Sequence, residues 1–169
     1  MGYVHDTAMS QFIPPAAIGK SAGTWTPAVA SNVVSEAKTA ADEAFTLLIP
    51  IQIPSNGAAR KGAYLQSVEI WYKIATAAAD DFATVAMHKV TLPASGSAVS
   101  GAAITHTVDA DHDTAAERLA VGDHKMTLTV TAPFWIDDGE CVWVSLVIDA
   151  ALATEFSLYG AVANFTLRI

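Results

Sequence analysis

The chain has 169 residues, 52% of them hydrophobic and 15% charged, with 9 basic against 17 acidic side chains and a formal net charge of −8. A length of this order fits one domain with a sizeable core, and the charge balance leaves no basic patch for phosphates, which excludes nucleic acid and anionic membrane surfaces as expected partners. Ordinary soluble domains carry roughly 25% charged residues, so the low fraction here predicts apolar surface covered by other copies, a homo-oligomer.

Residues 1–23 read as an extended arm. Their start lacks the cationic stretch and apolar core of a secretory signal, and the chain has no run of about 18 apolar residues, so assembly in a cytoplasm is expected. Pro14, Pro15, Gly19 and Gly23 break any period, yet Met9, Phe12, Ile13 and Ile18 are too apolar for a solvated tail. Such a segment orders only against a surface: its own domain or, the favoured expectation, a neighbouring subunit. Gly19-Lys20-Ser21 resembles the end of a phosphate loop, but the upstream glycine falls at Pro14.

A β-sandwich domain is expected over 24–169. Thr24–Val34 reads as a weak strand with Pro27 at an edge, and the Ala-rich stretch 36–44 as a helical turn or loop. Phe45–Ile53 is a strong strand interrupted by Pro50, and Pro54–Gly57 has turn chemistry. From Leu65 to Ile74 the alternation is clear: Val68, Ile70, Tyr72 and Ile74 face one way, Glu69, Trp71 and Lys73 the other. Strands follow at 84–92, with Ala86, His88, Val90 and Leu92 on one side, and at 103–108. After an acidic loop, Met126, Leu128 and Val130 alternate with Lys125, Thr127, Thr129 and Thr131. Asp137-Asp138-Gly139 is a turn of hairpin type. Val142, Val144, Leu146 and Ile148 then share a face, with the single Cys141 read as a small buried hydrophobe. The closing strand, 155–169, bends at Gly160. About eight strands and no helix able to carry a parallel crossover predict an all-β chain, an antiparallel β-sandwich of jelly-roll type, with a lipocalin-like barrel as alternative.

The densest chemistry is His106, Asp109, Asp111, His112, Asp113, Asp123 and His124. Alternate carboxylates suit calcium, but the positions that need Gly and Glu hold Thr114 and Ala120, so a solvated acidic loop is expected ahead of a mixed Asp/His metal site at 109–113. Arg118 is expected to make a surface ion pair with Asp111, Asp113 or Glu117. No nucleophile elbow or distinctive carboxylate pair occurs, so neither catalysis nor a cofactor is expected. Trp25, Trp71, Trp135 and Trp143 suit core, subunit contact or a sugar-stacking platform; Trp71 and Trp143, opposite the apolar faces of their strands, would act together if they shared one outer sheet face. The expected protein-interface residues are Met9, Phe12, Ile13, Ile18, Trp25, Trp71 and Trp143.

The stretches 49–57 (IPIQIPSNG), 61–74 (KGAYLQSVEIWYKI), 122–130 (GDHKMTLTV) and 156–165 (FSLYGAVANF) resemble small β-sandwich proteins of phage and metagenomic sequence. These are similar in style to the head-decoration, or cement, proteins of tailed bacteriophages. The resemblance is one of pattern over residues 25–169 and transfers no functional residue. It implies a virion structural protein on the capsid surface, trimeric or else dimeric, that binds the major capsid protein or other particle subunits and stabilises the assembled head. The alternatives are a carbohydrate- or receptor-binding sandwich of a fibre or appendage and, third, a small β-barrel enzyme.

Overall fold

Period-two alternation builds two apolar sheet faces that close on each other. In the computed structural model, which describes residues 5–53 and 63–168, β6 (Ala63–Ala75) buries Leu65, Val68, Ile70, Tyr72 and Ile74. Beside it, β10 (Gly122–Trp135) buries Met126, Leu128 and Val130, and β12 (Glu155–Arg168) buries Phe156, Leu158, Ala161, Ala163 and Phe165. Facing them, β5 (Glu43–Ile51) contributes Phe45, Leu47 and Ile49, β7 (Asp81–Thr91) Phe82 and Met87, and β11 (Glu140–Ala150) Val142, Val144, Leu146 and Ile148.

The 7-stranded sheet runs β3 (Trp25–Ala30), β4 (Val33–Lys38), β12, β6, β10, β9 (His106–Val108), with β1 (Asp6–Ile13) also paired to β12. The 5-stranded sheet runs β2 (Gly19–Lys20), β5, β11, β7, β8 (Ser100–Ala103). Set aside β1, β2, β3 and β9, and the order β4-β12-β6-β10 faces β5-β11-β7-β8, which is the strand order of a jelly roll. All strand pairs are antiparallel, and the longest α-helix among the described residues is the short α1 (Ala115–Arg118). The chain is therefore an all-β antiparallel sandwich, as its alternation predicts, with more strands than the expected eight.

The structure corrects several local expectations. Thr24–Val34 is not one strand: Ser31 and Asn32, at φ 50° and 67°, turn β3 into β4, the geometry of a two-residue hairpin. The Ala-rich stretch 36–44 is extended and passes from β4 into β5. The strand expected at 103–108 is two, because the chain leaves the smaller sheet after Ala103 and enters the larger one at His106. Asp137 does turn the chain, accepting from the Glu140 N–H at 3.0 Å, but the turn joins β10 to β11 across the two sheets and closes no hairpin. Ala86, His88 and Val90 do share a side, the one away from the core, and Met87 is buried on the other. The Pro54–Gly57 turn falls outside the described residues.

The segment expected to lie on a neighbouring subunit folds onto its own domain. β1 pairs with β12 from Asp6↔Arg168 to Ile13↔Ala161, a 3-10 turn at Pro15–Ala17 follows, and β2 pairs with β5. Ile13 and Ile18, each 3% exposed, plug into the core. The Lys20 ammonium donates to the carbonyls of Pro15 and Ile18 at 2.7 and 2.9 Å and pairs with Glu36. Ile13, Ile18 and the backbone groups of β1 and β2 thus find partners within the chain, so the segment is ordered without a second subunit, while Met9 and Phe12 stay exposed.

Candidate functional site

The outer face of the larger sheet carries the richest exposed chemistry. Along β6 the half-exposed side chains are Tyr64, Gln66, Ser67, Glu69, Trp71 and Lys73. Gln66 and Ser67 are consecutive, yet neither is buried, because the pairing slips at this level against both β12 and β10. Tyr64 lies opposite Trp135 on β10 and Thr166 on β12. Its ring centroid is 4.9 Å from that of Trp135, with the planes tilted by 50°. Together with Asp6, Gln66 and Thr166 these rings line a cleft of about 340 Å³.

Next to the cleft a ladder of uncharged polar groups crosses three strands. Ser10 Oγ donates to Asn164 Oδ1 at 2.7 Å, and Asn164 Nδ2 donates to Ser67 Oγ at 3.3 Å. Gln66 Nε2 reaches Thr166 Oγ1 at 3.5 Å. One step further, Phe12 stands opposite Val162 and is 59% exposed. Its ring lies over Gly160, where a Cβ would come within 2.9 Å of Phe12 Cε2. Trp71 follows, with the Lys125 ammonium 5.4 Å from its ring centre and 2.9 Å from Glu69. Lys73 pairs with Asp123 at 3.7 Å. Among the described residues, Lys73 and Lys125 of this face are thus matched by carboxylates, and the ladder beside the aromatic rings is amide and hydroxyl.

The expected interface residues divide. Trp143 is on β11, opposite His88 and Pro50 in the smaller sheet, whereas Trp71 is in the larger one. The two rings therefore sit on opposite outer surfaces and form no joint platform. Trp25 packs edge-on against Phe45 and Phe156, with centroids at 5.4 and 6.1 Å, and its indole N–H donates to the Ala22 carbonyl at 2.8 Å, so it seals the core. Ile13 and Ile18 are buried; Met9, 43% exposed, and Phe12 remain available. Sequence reading missed Tyr64, whose signal was its place in phase with Gln66 just before the strand's expected start. Cys141 is half-buried, its Sγ 3.7 Å from the Val90 carbonyl.

The His/Asp cluster folds inward as a scaffold. Asp109 accepts from His112 Nδ1 at 2.7 Å and from the backbone N–H groups of Asp111 and Thr127. His112 Nε2 is 3.2 Å from His124 Nδ1, and His124 Nε2 is 2.9 Å from the Ala120 carbonyl. The row thus runs from the Asp109 carboxylate through both imidazoles to the Ala120 carbonyl and ties the loop to β10. Among the described residues no group of three or more His, Cys, Asp or Glu is placed to hold a metal ion. Arg118 is not a surface ion pair: it is 6% exposed and donates to the carbonyls of Phe82, His112 and Asp113 at 2.9, 2.7 and 3.0 Å, with Ala83 at 3.4 Å. Burial also pushes the Tyr72 hydroxyl well above the usual phenol range while it donates to the Arg118 carbonyl at 2.9 Å.

Partial burial works to raise the Asp109 pKa, but the Thr127 N–H, the His112 ring and the Asp111 N–H outweigh it and hold the carboxyl below the ordinary carboxylate range. A lowered folded-state pKa stabilises the fold above the ordinary value of about 3.9 and loses that contribution as pH falls through the folded value. Stability measured by urea denaturation should therefore fall on the acid side in the native chain, and Asp109→Asn should flatten that acid limb; an unchanged slope would rule the coupling out.

No family model matches the chain, and no curated protein matches it. Among solved structures it is similar to TmCBM61 in complex with β-1,4-galactotriose, at 10% identity and a TM-score of 0.39 over 91% of this chain and 85% of that one. It is also similar to the enzymatically active domain of bacteriophage CBA120 tailspike protein 4, at 8% identity and a TM-score of 0.36, covering 95% of this chain and 19% of that one.

Proposed function

We propose that the chain is a non-catalytic glycan-binding β-sandwich and that the Tyr64–Trp135 cleft is where sugar sits. The observation that carries this reading is the cleft itself: two aromatic rings beside Gln66, Thr166 and Asp6 on an outer sheet face. A pyranose ring offers C–H faces that pack on aromatic rings and equatorial hydroxyls that exchange hydrogen bonds with amides and hydroxyls. The cleft supplies both, and its residues lie on hydrogen-bonded strands of the sheet, which lowers the ordering cost on binding. Replacing Trp135 or Tyr64 by alanine should cost about 2 kcal/mol, roughly thirtyfold in Kd, by analogy with aromatic anchors at binding sites. Glycan-array screening followed by calorimetry on the best ligand checks this; native-like binding by both variants would reject the cleft.

A second reading, packing against protein chains as part of a virus particle, is supported by the β3–β4 hairpin, where Val29, Val33 and Val34 are 72%, 50% and 60% exposed. Water contact over such a cluster is unfavourable by roughly 25 cal/mol per Å² of apolar area, and a partner would relieve it. On this reading the native chain sediments as an oligomer and Val34→Lys as a monomer. A native monomer that also fails to bind particles would leave only the glycan reading.

A further inference from the structure

We infer that the cleft is one end of a longer track, and that the site takes an uncharged, linear oligosaccharide whose far end stacks on Phe12. This rests on the glycan reading above and adds the ligand's charge, shape and length.

The track is drawn by the register. Tyr64, Thr166 and Ala8 share one level of the sheet, then Ser67, Asn164 and Ser10, then Glu69, Val162 and Phe12. Phe12 lies two strands across and four residues along from Tyr64, which strand spacings of about 4.8 Å and 3.3 Å convert to a span of about 16 Å. That is several sugar rings, more than the cleft alone would hold. The Ser10–Asn164–Ser67 ladder fills the interval. Its members keep spare capacity: a hydroxyl both donates and accepts, and an amide oxygen has two lone pairs.

Phe12 is a poor residue to leave in water for no purpose. At 59% exposure on the sheet's outer face it adds little to the core, yet Gly160 beneath it leaves room for the ring. An aromatic ring set on a glycine beside a row of hydroxyls has the same make-up as the cleft at the other end.

Charge selects the class of sugar. Among the described residues, Lys125 is taken by Glu69 and Lys73 by Asp123, and the chain carries a net charge of −8. Uronates, sulfated sugars and phosphorylated polymers would meet the repulsion of the net negative chain, and among the described residues both lysines of this face already have carboxylate partners. Neutral hexose or pentose chains meet none.

Two linked stations make the second contact intramolecular, so affinity should climb with chain length until both are filled, then level off. The experiment is calorimetry with neutral linear β-1,4-linked gluco-, manno-, xylo- and galacto-oligosaccharides, from disaccharide to octasaccharide, beside an oligogalacturonate series. The expected result is a gain of about tenfold or more from short to long neutral ligands. Phe12→Ala should abolish that gain and leave disaccharide affinity unchanged, Phe12→Trp should retain it, and Trp135→Ala should weaken every length. Equal affinity at all lengths, a uniform loss in Phe12→Ala, or preference for the galacturonates would overturn the track while leaving the cleft as a sugar site. Binding of no glycan by the native chain would overturn both.

Discussion

Arg118→Ala should destabilise the sandwich by about 3–5 kcal/mol, the loss expected when one member of a buried, hydrogen-bonded charged group is deleted. The reason lies in what the guanidinium touches. It joins the carbonyls of Phe82 and Ala83, at the start of β7, to those of His112 and Asp113, in the loop before α1. Cut away, it leaves acceptors facing one another in a site that is 6% exposed, with no donor to replace it. Phe82, over which the guanidinium carbon lies at 5.9 Å, loses its cover as well. Arg118→Lys should recover only part of the loss, because an ammonium lacks the planar fork that reaches several carbonyls at once. Urea denaturation of the three proteins measures the order; an alanine variant within about 1 kcal/mol of the native chain would mean that water replaces the guanidinium.

Gly160→Ala is the second large effect, at about 3 kcal/mol, combining a backbone held in a region L-residues avoid with a hard contact. Gly160 has φ +125°, and a Cβ there would lie 2.6 Å from the Ile13 carbonyl oxygen and 2.9 Å from the Phe12 ring. The exposed Phe12 ring can turn aside, but the Ile13 carbonyl cannot yield cheaply, since Ile13 is paired with Ala161 and buried at 3% exposure. The substitution should therefore lift the end of β1 from β12. Hydrogen exchange gives a direct readout: the amides of Gln11 to Ile13 should lose protection while those of β6 and β11 keep theirs. Retained protection in β1 would show that the strand accommodates the methyl group.

How far these features could be read from the sequence depends on the distance over which each is encoded. The faces of β6, β10 and β11 were legible because alternation is local: Val68-x-Ile70-x-Tyr72 needs no partner to be recognised. The jelly-roll type followed from the number and spacing of such runs. Arg118 was misread because its partners are backbone carbonyls, some of them 35 and 36 residues away, which leave no side-chain signature. Trp71 and Trp143 were correctly placed opposite the apolar positions of their strands, but which sheet each strand joins is decided by topology, and that separates them. Of the candidate site, Trp135 was named without a location and Tyr64 was not named, since a cleft between β6, β10, β12 and β1 exists only once four distant stretches are side by side.

The position of β12 has a kinetic consequence. It lies between β6 on one side and β4 and β1 on the other, and each of these precedes it in the chain by scores of residues. During synthesis, three strands with open hydrogen-bonding edges must wait for the one that joins them. Folding should be slow for a chain of this size, as non-local pairing generally is, and a nascent chain cut short of Glu155 would expose ribbons prone to self-association.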